Sequence, residues 1–499
     1  DVSMHFSGEI VKRNQLLIDR PRRNRYNRID TVHPLWCMGK QVGIPLTFNS
    51  GGNFMYQFPK HLYADIRLED VFQTSIAYEN GALTRNKTSR EAGAFLRVWD
   101  GQRWYYSATT DLDHIQQELD ALAALATPNP AIDQDPVVTR LEVNRDVCLL
   151  YKDRDVRLVP NEEKVALLQS YLPVVAEVPE ISDWEAVYLD TYTEKWFWSS
   201  LGADLHFDHQ RASLVLNFTI TAGSVPQADR IHTYQSDFPS LAGHQEMMRQ
   251  KVSKSLDYAK NAVPVVPGTY TCVFSPETAG VFAHESFGHK SEADLMLGSE
   301  AMMQEWAIGT QVGSPILNIL DSGLPEGSGY VPYDDEGTRT RTTYLIQNGK
   351  LTGRLHSAAT AALLNEEITG NARAINFSYE PIVRMTATYI GGGDLTLEEL
   401  LAPIELGVYI HDFNHGSGMS TFTIAPSQAY MIRNGKLAEP VRISVITGNV
   451  MHTLHEIDGL TKEVEVCSQS TGGCGKMEQW PLRVAFGGPY VRVRNIQVQ

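Results

Sequence analysis

The sequence predicts an α+β fold: an N-terminal α/β domain, then a mostly antiparallel, barrel-like β domain that carries one helix of unusual chemistry. Three observations lead there. After residue 58, period-two alternation between turn dipeptides gives way to helical spacing; prolines then punctuate the chain at Pro264 and Pro267; beyond them, short strands and Asn-Gly hairpins dominate. The division expected is an extension over 1–58, an N-terminal domain over 59–262 and a C-terminal domain over 263–499. At 499 residues the chain is too long for one ordinary core.

The extension is rich in Arg, Asn and Gly and has no sustained period. Between Lys12 and Arg28 it holds Lys12, Arg13, Arg20, Arg22, Arg23, Arg25 and Arg28 against only Asp19, which reads as an arm lying on the protein's own acidic surface. Residues 63–69 then alternate, with Ala64, Ile66 and Leu68 on one face. Further extended runs flank Asn80-Gly81 and Asp100-Gly101, dipeptides that supply the positive φ angles of tight hairpins. Residues 111–126 change period: Leu112, Ile115, Leu119 and Leu122 recur at helical spacing until Pro128 and Pro130 stop it. A sheet with helices on one face follows. Strands are expected over 186–192 and 213–221, and a helix over roughly 241–262 with Met247, Met248, Val252, Leu256 and Ala259 as its apolar stripe.

Past the proline break comes a strand over 269–274 and then Ser275-Pro276-Glu277. A Ser N-cap, Pro at the first helical position and an acid in the first turn start a helix, which is expected to carry residues 283–294. Two nearly identical hairpins follow, over 344–351 around Asn348-Gly349 and over 430–437 around Asn434-Gly435.

Composition narrows the function. Lys plus Arg number 43 against 59 Asp plus Glu, a net charge of −16, which repels a phosphate backbone and argues against direct nucleic-acid binding. No apolar run approaches the ~20 residues that span a bilayer, and residues 1–30 lack the apolar segment of a secretory signal, so no membrane partner is expected. The cysteines Cys37, Cys148, Cys272, Cys467 and Cys474 are odd in number and lack framework spacing, which suits a reducing, cytoplasmic compartment.

The informative stretch is His284-Glu285-Ser286-Phe287-Gly288-His289. A His-Glu-x-x-x-His arises by chance on the order of 0.03 times in a chain of this length and histidine content, so composition does not explain it. Two neutral imidazoles on one helix can hold a zinc ion, with the adjacent carboxylate acting on a water at the ion. Ligands five apart are rotated about 140° from each other on an ideal helix, too far to share one metal. A wide π-type turn realigns them, and Gly288 is where such a distortion is least costly, so a helix deformation is predicted at Phe287 and Gly288. A catalytic zinc needs one more protein ligand. Cys474 is the best candidate, in Thr471-Gly-Gly-Cys-Gly475, where glycines let the sulfur approach an ion closely. A thiolate partly neutralises the metal and leaves its water less acidic, so Glu285 is expected to act as general base. Cys467 and Cys272 read as structural thiols.

Other residues carry weaker signals. His411 and His415 sit four apart among Asn, Gly and Ser that read as loop; either is a candidate substrate or oxyanion contact. His452 and His455 read as core or surface. Asp334, Asp335 and Glu336 are adjacent and point different ways, so a turn or an internal salt-bridge network is expected there rather than a cation site.

These residues together resemble the TldD/PmbA family of metallopeptidases, specifically its TldD-like member that bears the metal motif. The helix 284–289 followed by Glu292 and Asp294 resembles the family's metal helix. Tyr333-Asp-Asp-Glu-Gly337, Asn348-Gly349, Thr369-Gly-Asn-Ala-Arg373, Arg384-Met385-Thr386 and Gly473-Cys-Gly-Lys476 resemble its other blocks in order, and the run from Tyr63 to Ala126 is similar too. The resemblance covers residues 60–499 and implies a zinc-dependent peptidase acting on peptides or unfolded segments, such as modified-peptide precursors whose leader is removed. It implies His284, His289 and Cys474 as zinc ligands and Glu285 as base. It also implies a dimer enclosing the active site, including a heterodimer with a PmbA/TldE-like subunit that lacks the metal motif. Two rival readings stand beside it: a non-catalytic zinc-binding subunit that modulates another protein, marked by a fourth protein ligand, and a redox-metal enzyme, which would call for a carboxylate in the ligand set.

Overall fold

The computed structural model describes residues 55–222, 225–418, 420–468 and 471–499. The arginine-rich run over 12–28, Cys37 and nearly all of the extension lie outside the described residues.

A seven-stranded sheet forms from Trp104–Thr109, Ala82–Trp99, Tyr63–Glu79, Ile181–Ser199, Asp204–Ile220 and Arg145–Cys148 in that order, with Gln227–Gln235 also paired to Asp204–Ile220. All pairings are antiparallel except that of Arg145–Cys148. Asn80 and Gly81 turn the first hairpin at φ +47° and +88°. The strands extend well past the expected 63–69, 186–192 and 213–221. Their alternation weakens because both faces are covered. Ala64, Ile66 and Leu68 pack with Leu119 and Leu122 of the helix Ile115–Ala123 and with Trp196 and Trp198. Further along the same face, Ile76 and Tyr78 share a core with Met248 and Val252 of the helix Gln245–Asn261. Helices therefore cover one face, as expected.

The other face buries charge. Arg97 bridges Asp65 at 2.6 Å and Glu336 at 2.9 Å, and Lys195 reaches Asp335 at 2.7 Å. Asp334 accepts the backbone N–H groups of Glu336, Thr338 and Ala372. The acidic run 334–336 is thus a turn locked into a salt-bridge network, and that network welds the sheet to the second half of the chain.

In the second half, Leu406–Gly418, Gly268–Phe274, Val491–Val498, Ile446–Asn449 and Thr421–Arg433 pair in sequence, and the last returns to pair with the first. The ring is a closed five-strand barrel. Beside it lies a six-stranded sheet that includes Ala387–Ile390, Ala485–Gly488 and Glu465–Ser468. Both Asn-Gly hairpins form, with positive φ at Asn348, Gly349, Asn434 and Gly435. The stretch expected as loop around His411 and His415 is instead part of the barrel strand Leu406–Gly418. Its glycines have a packing role rather than a turn role: a Cβ on Gly416 would stand 3.4 Å from Glu285 Cγ, and one on Gly418 only 2.8 Å from the Glu285 carbonyl oxygen.

The helix Pro276–Ala283 runs between barrel and sheet. Ser275 caps it by accepting from Thr278 N, and Pro276 occupies its first turn. Every residue from Pro276 to Ala283 except Glu277 is buried. Gly280 lets it approach the sheet backbone, since a Cβ there would meet Gly487 N at 2.3 Å. Among the described residues, no helix is long and apolar enough to cross a membrane.

Candidate metal centre

The buried helix ends at Ala283 and the chain continues as a π-helical turn over His284–Gly288 and a 3-10 turn over His289–Ser291. The helix expected to carry residues 283–294 is deformed as expected: the wide turn includes Phe287 and Gly288 and lies where the five-residue spacing needs it. The role of Gly288 differs from expectation. Its φ is an ordinary −54°, so conformational freedom is not the reason for glycine. Space is: a Cβ would fall 2.1 Å from Met385 Sδ.

The π turn brings the His284 and His289 rings to 5.1 Å between centroids, with an interplanar angle of 79°. Cys474 arrives from a separate segment. Gly472 and Gly473, at φ +75° and +151°, turn the chain into the short strand Cys474–Lys476. Its Sγ lies 3.5 Å from His289 Nε2, and one donor atom from each of His284, His289 and Cys474 falls within 4.8 Å of the others. Glu285 is half-buried beside them.

Surrounding groups hold these side chains in place. His289 Nδ1 is 3.1 Å from Glu292 Oε2, and Glu292 is fully buried. Lys476 Nζ lies 3.2 Å from the same oxygen and 2.5 Å from Asp294 Oδ1, and donates to the Val383 carbonyl at 2.7 Å. Arg384 donates to the Cys474 carbonyl at 2.7 Å. Such a carboxylate behind a ligating histidine fixes its tautomer and ring orientation.

The electrostatics match the geometry. Burial pushes the Cys474 thiol up, but His284 and His289 beside it outweigh that and bring its pKa down to about 5. Burial opposes charge on His289, yet Cys474 and Glu292 raise it to about 10. His284 is likewise raised against its own burial by Cys474, and its Nδ1 is buried with no hydrogen-bond partner. A pair of imidazoles and an acidified thiol, with one buried ring nitrogen unsatisfied, is a donor set that fits zinc.

The other candidates are not among the three donors. His411 Nδ1 is 3.0 Å from the Tyr409 hydroxyl, and burial together with Lys254 and Lys251 lowers its pKa, so it faces the helix Gln245–Asn261. His415 is exposed; its neighbour Gly416 is what touches Glu285. Neither joins the three donors. His452 is exposed on the helix Val450–His455, Cys272 is buried and Cys467 half-buried. Glu292, Lys476 and Arg384 were named only as parts of a resemblance, without roles. The three-residue spacing of His289 and Glu292 is the one local signal that could have assigned a role to any of them.

Comparison with known proteins identifies the family. Residues 267–499 match the model of the PmbA/TldA metallopeptidase C-terminal domain, and residues 64–127 match that of PmbA/TldA metallopeptidase domain 1. A metalloprotease of Synechocystis sp. is 32% identical over 447 residues, covering 87% of this chain and 94% of its own. A zinc metalloprotease TldD homolog of Saccharolobus solfataricus is 28% identical, covering 87% and 96%. The crystal structure of TldE from Thermococcus kodakarensis superposes with a TM-score of 0.68 at 16% identity, covering 87% and 96%, a likeness of fold.

Proposed function

Because the chain belongs to the TldD/PmbA family of metallopeptidases, we propose that it is a zinc-dependent peptidase that hydrolyses peptides or unfolded segments, including the leaders of modified peptides. The observation that carries this reading is the convergence of His284, His289 and Cys474 from two distant segments, with Glu285 adjacent. These three would hold the zinc, which when bound supplies Lewis acidity to a scissile carbonyl and makes a water more acidic. Glu285 then takes a proton from the attacking water and passes it to the leaving amine nitrogen. Gly416 and Gly418 keep the barrel strand close against Glu285 and limit where its carboxylate can go.

Three protein donors, rather than four, gather among the described residues. That supports an open catalytic site over a closed structural one. The thiolate supports zinc over a redox ion with a carboxylate ligand. In the same reading residues 59–262 and 263–499 are two domains, and the protein works as a dimer, with a second copy or with a TldE-like subunit that lacks the metal motif.

The test is cleavage of an unbiased peptide mixture by the purified protein of known zinc content, with chelator and after zinc is returned. Chelator-sensitive cleavage restored by zinc is expected. A zinc-loaded protein that cleaves nothing, alone or mixed with a TldE-like subunit, would overturn the proposal.

A further inference from the structure

Opposite the turn that delivers Cys474, the first sheet presents Arg211 and Arg230, which form no ion pair among the described residues. Side chains alternate along a strand, so His209 and Arg211 of Asp204–Ile220 share a face, and the pairing of Ser213 with Tyr234 places Tyr234 on it as well. Phe207, two residues before His209, packs against Tyr333, which orients this face toward the second half of the molecule.

From the second half comes Arg483. It follows Leu482, the strand partner of Cys474, and donates to the carbonyl of Gly472. Arg373 donates to the Arg483 carbonyl at 2.9 Å, and Arg230 of the sheet donates to Thr471 Oγ1 at 3.2 Å. Guanidinium groups therefore approach the turn at 471–473 from both sides.

These charges are not balanced within the chain. Among the described residues, Arg211, Arg230, Arg373 and Arg483 form no ion pair, and Asp335, the acid nearest Arg373 in effect, is already committed to Lys195 at 2.7 Å. Arg211 lies against Tyr234, and Arg211 Nε and His209 Nδ1 are buried without a hydrogen-bond partner. Burial, and Arg211 after it, pull both Arg373 and Arg483 down to about 10, the behaviour of like charges enclosed together. Cations without an acidic partner and unsatisfied buried donors gathered at one place are the expected lining of an anion site.

We infer that this face is a subsite for a peptide carboxylate: Arg211 and Arg483, with Tyr234 and His209, receive an acidic side chain or a free C-terminus while the adjoining segment reaches the turn at 284–289. The inference rests on the peptidase reading, since a peptide is the ligand that brings both a scissile bond and a carboxylate.

The experiment uses full-length zinc-loaded Glu285→Gln protein and fluorescently labelled peptides of one sequence, read by anisotropy. One pair differs only in free or amidated C-terminus, the other only in an internal Glu or Gln. In at least one pair the carboxylate peptide should bind about tenfold more tightly, and the responding pair identifies the source of the carboxylate. Arg211→Gln and Arg483→Gln should each reduce that ratio to about twofold, and Arg211→Lys should recover part of it. Ratios near one in both pairs, or a ratio that neither glutamine variant changes, would overturn the inference. Because the readout is binding, it stands even if the wild-type protein cleaves nothing, which would instead count against the peptidase reading.

Discussion

Lys476 Nζ and His289 Nδ1 meet the same oxygen of Glu292, at 3.2 Å and 3.1 Å. Lys476 lies two residues after Cys474, so a single buried carboxylate ties the segment bearing the sulfur to the turn bearing the imidazoles. Replacing Glu292 with Gln should leave the fold intact and weaken zinc binding about 10–100-fold, because His289 loses its orienting charge and Lys476 loses a counter-ion. Competition with a chromogenic chelator measures this, and affinity equal to wild type would remove Glu292 from the support of the site.

Glu285→Gln separates binding from chemistry. Zinc content should stay near wild type while peptide cleavage falls about 10²–10⁴-fold. Cleavage retained within a few-fold would require another base.

The third ligand is tested by a pair of serine variants. Cys474→Ser should lose zinc under dialysis conditions that the wild type survives, whereas Cys467→Ser should retain it, since Cys467 sits among Glu277, Glu465 and Asp412 with its pKa raised, by burial first. The opposite pattern would reassign the ligand.

In the zinc-free protein, Cys474 titrates near 5 and His289 near 10. The thiol's pKa is depressed by folding, so its stabilising contribution is present at alkaline pH and lost as pH falls through about 5. The imidazole's is raised, so its contribution is complete in acid and lost as pH rises through about 10. The charged pair therefore persists between those limits. Iodoacetamide should label Cys474 at a rate nearly constant from about pH 6 to 9, with zinc protecting it; a rate rising tenfold per pH unit across that range would mean an ordinary thiol.

Gly288→Ala tests close packing. The new Cβ would fall 2.1 Å from Met385 Sδ in a buried site, and a loss of about 1–3 kcal/mol in urea unfolding is expected. Combined with Met385→Ala, the two losses should sum to less than their separate values, because the second change removes the obstruction to the first. Strict additivity would place the defect elsewhere.

Much of this site was readable locally. Ser275-Pro276 starts the buried helix as its capping chemistry demands, the five-residue histidine spacing requires a wide turn, and the glycines flanking Cys474 mark a sulfur with room to approach an ion. What escaped was what depends on distant chain. Lys476 meets Glu292 and Asp294, and Arg384 meets the Cys474 carbonyl, over separations that no periodicity reports. The strand Leu406–Gly418 reads as loop because Gly416 and Gly418 are small to admit Glu285, a requirement set by a neighbour and not by the strand itself. The strands run past the alternating stretches because burial does not follow apolar alternation there: Arg67 and Arg97 are buried by ion pairs to Asp335 and Glu336 of the other half.

The closed barrel also bears on when the centre can assemble during synthesis. The helix leading to His284 rests on a ring whose strand Val491–Val498 sits between Gly268–Phe274 and Ile446–Asn449. A nascent chain that has exposed its histidines, and even its sulfur, still lacks that stave until residues 491–498 clear the ribosomal tunnel. The ring that supports the histidine turn therefore closes only when the last of its strands has emerged.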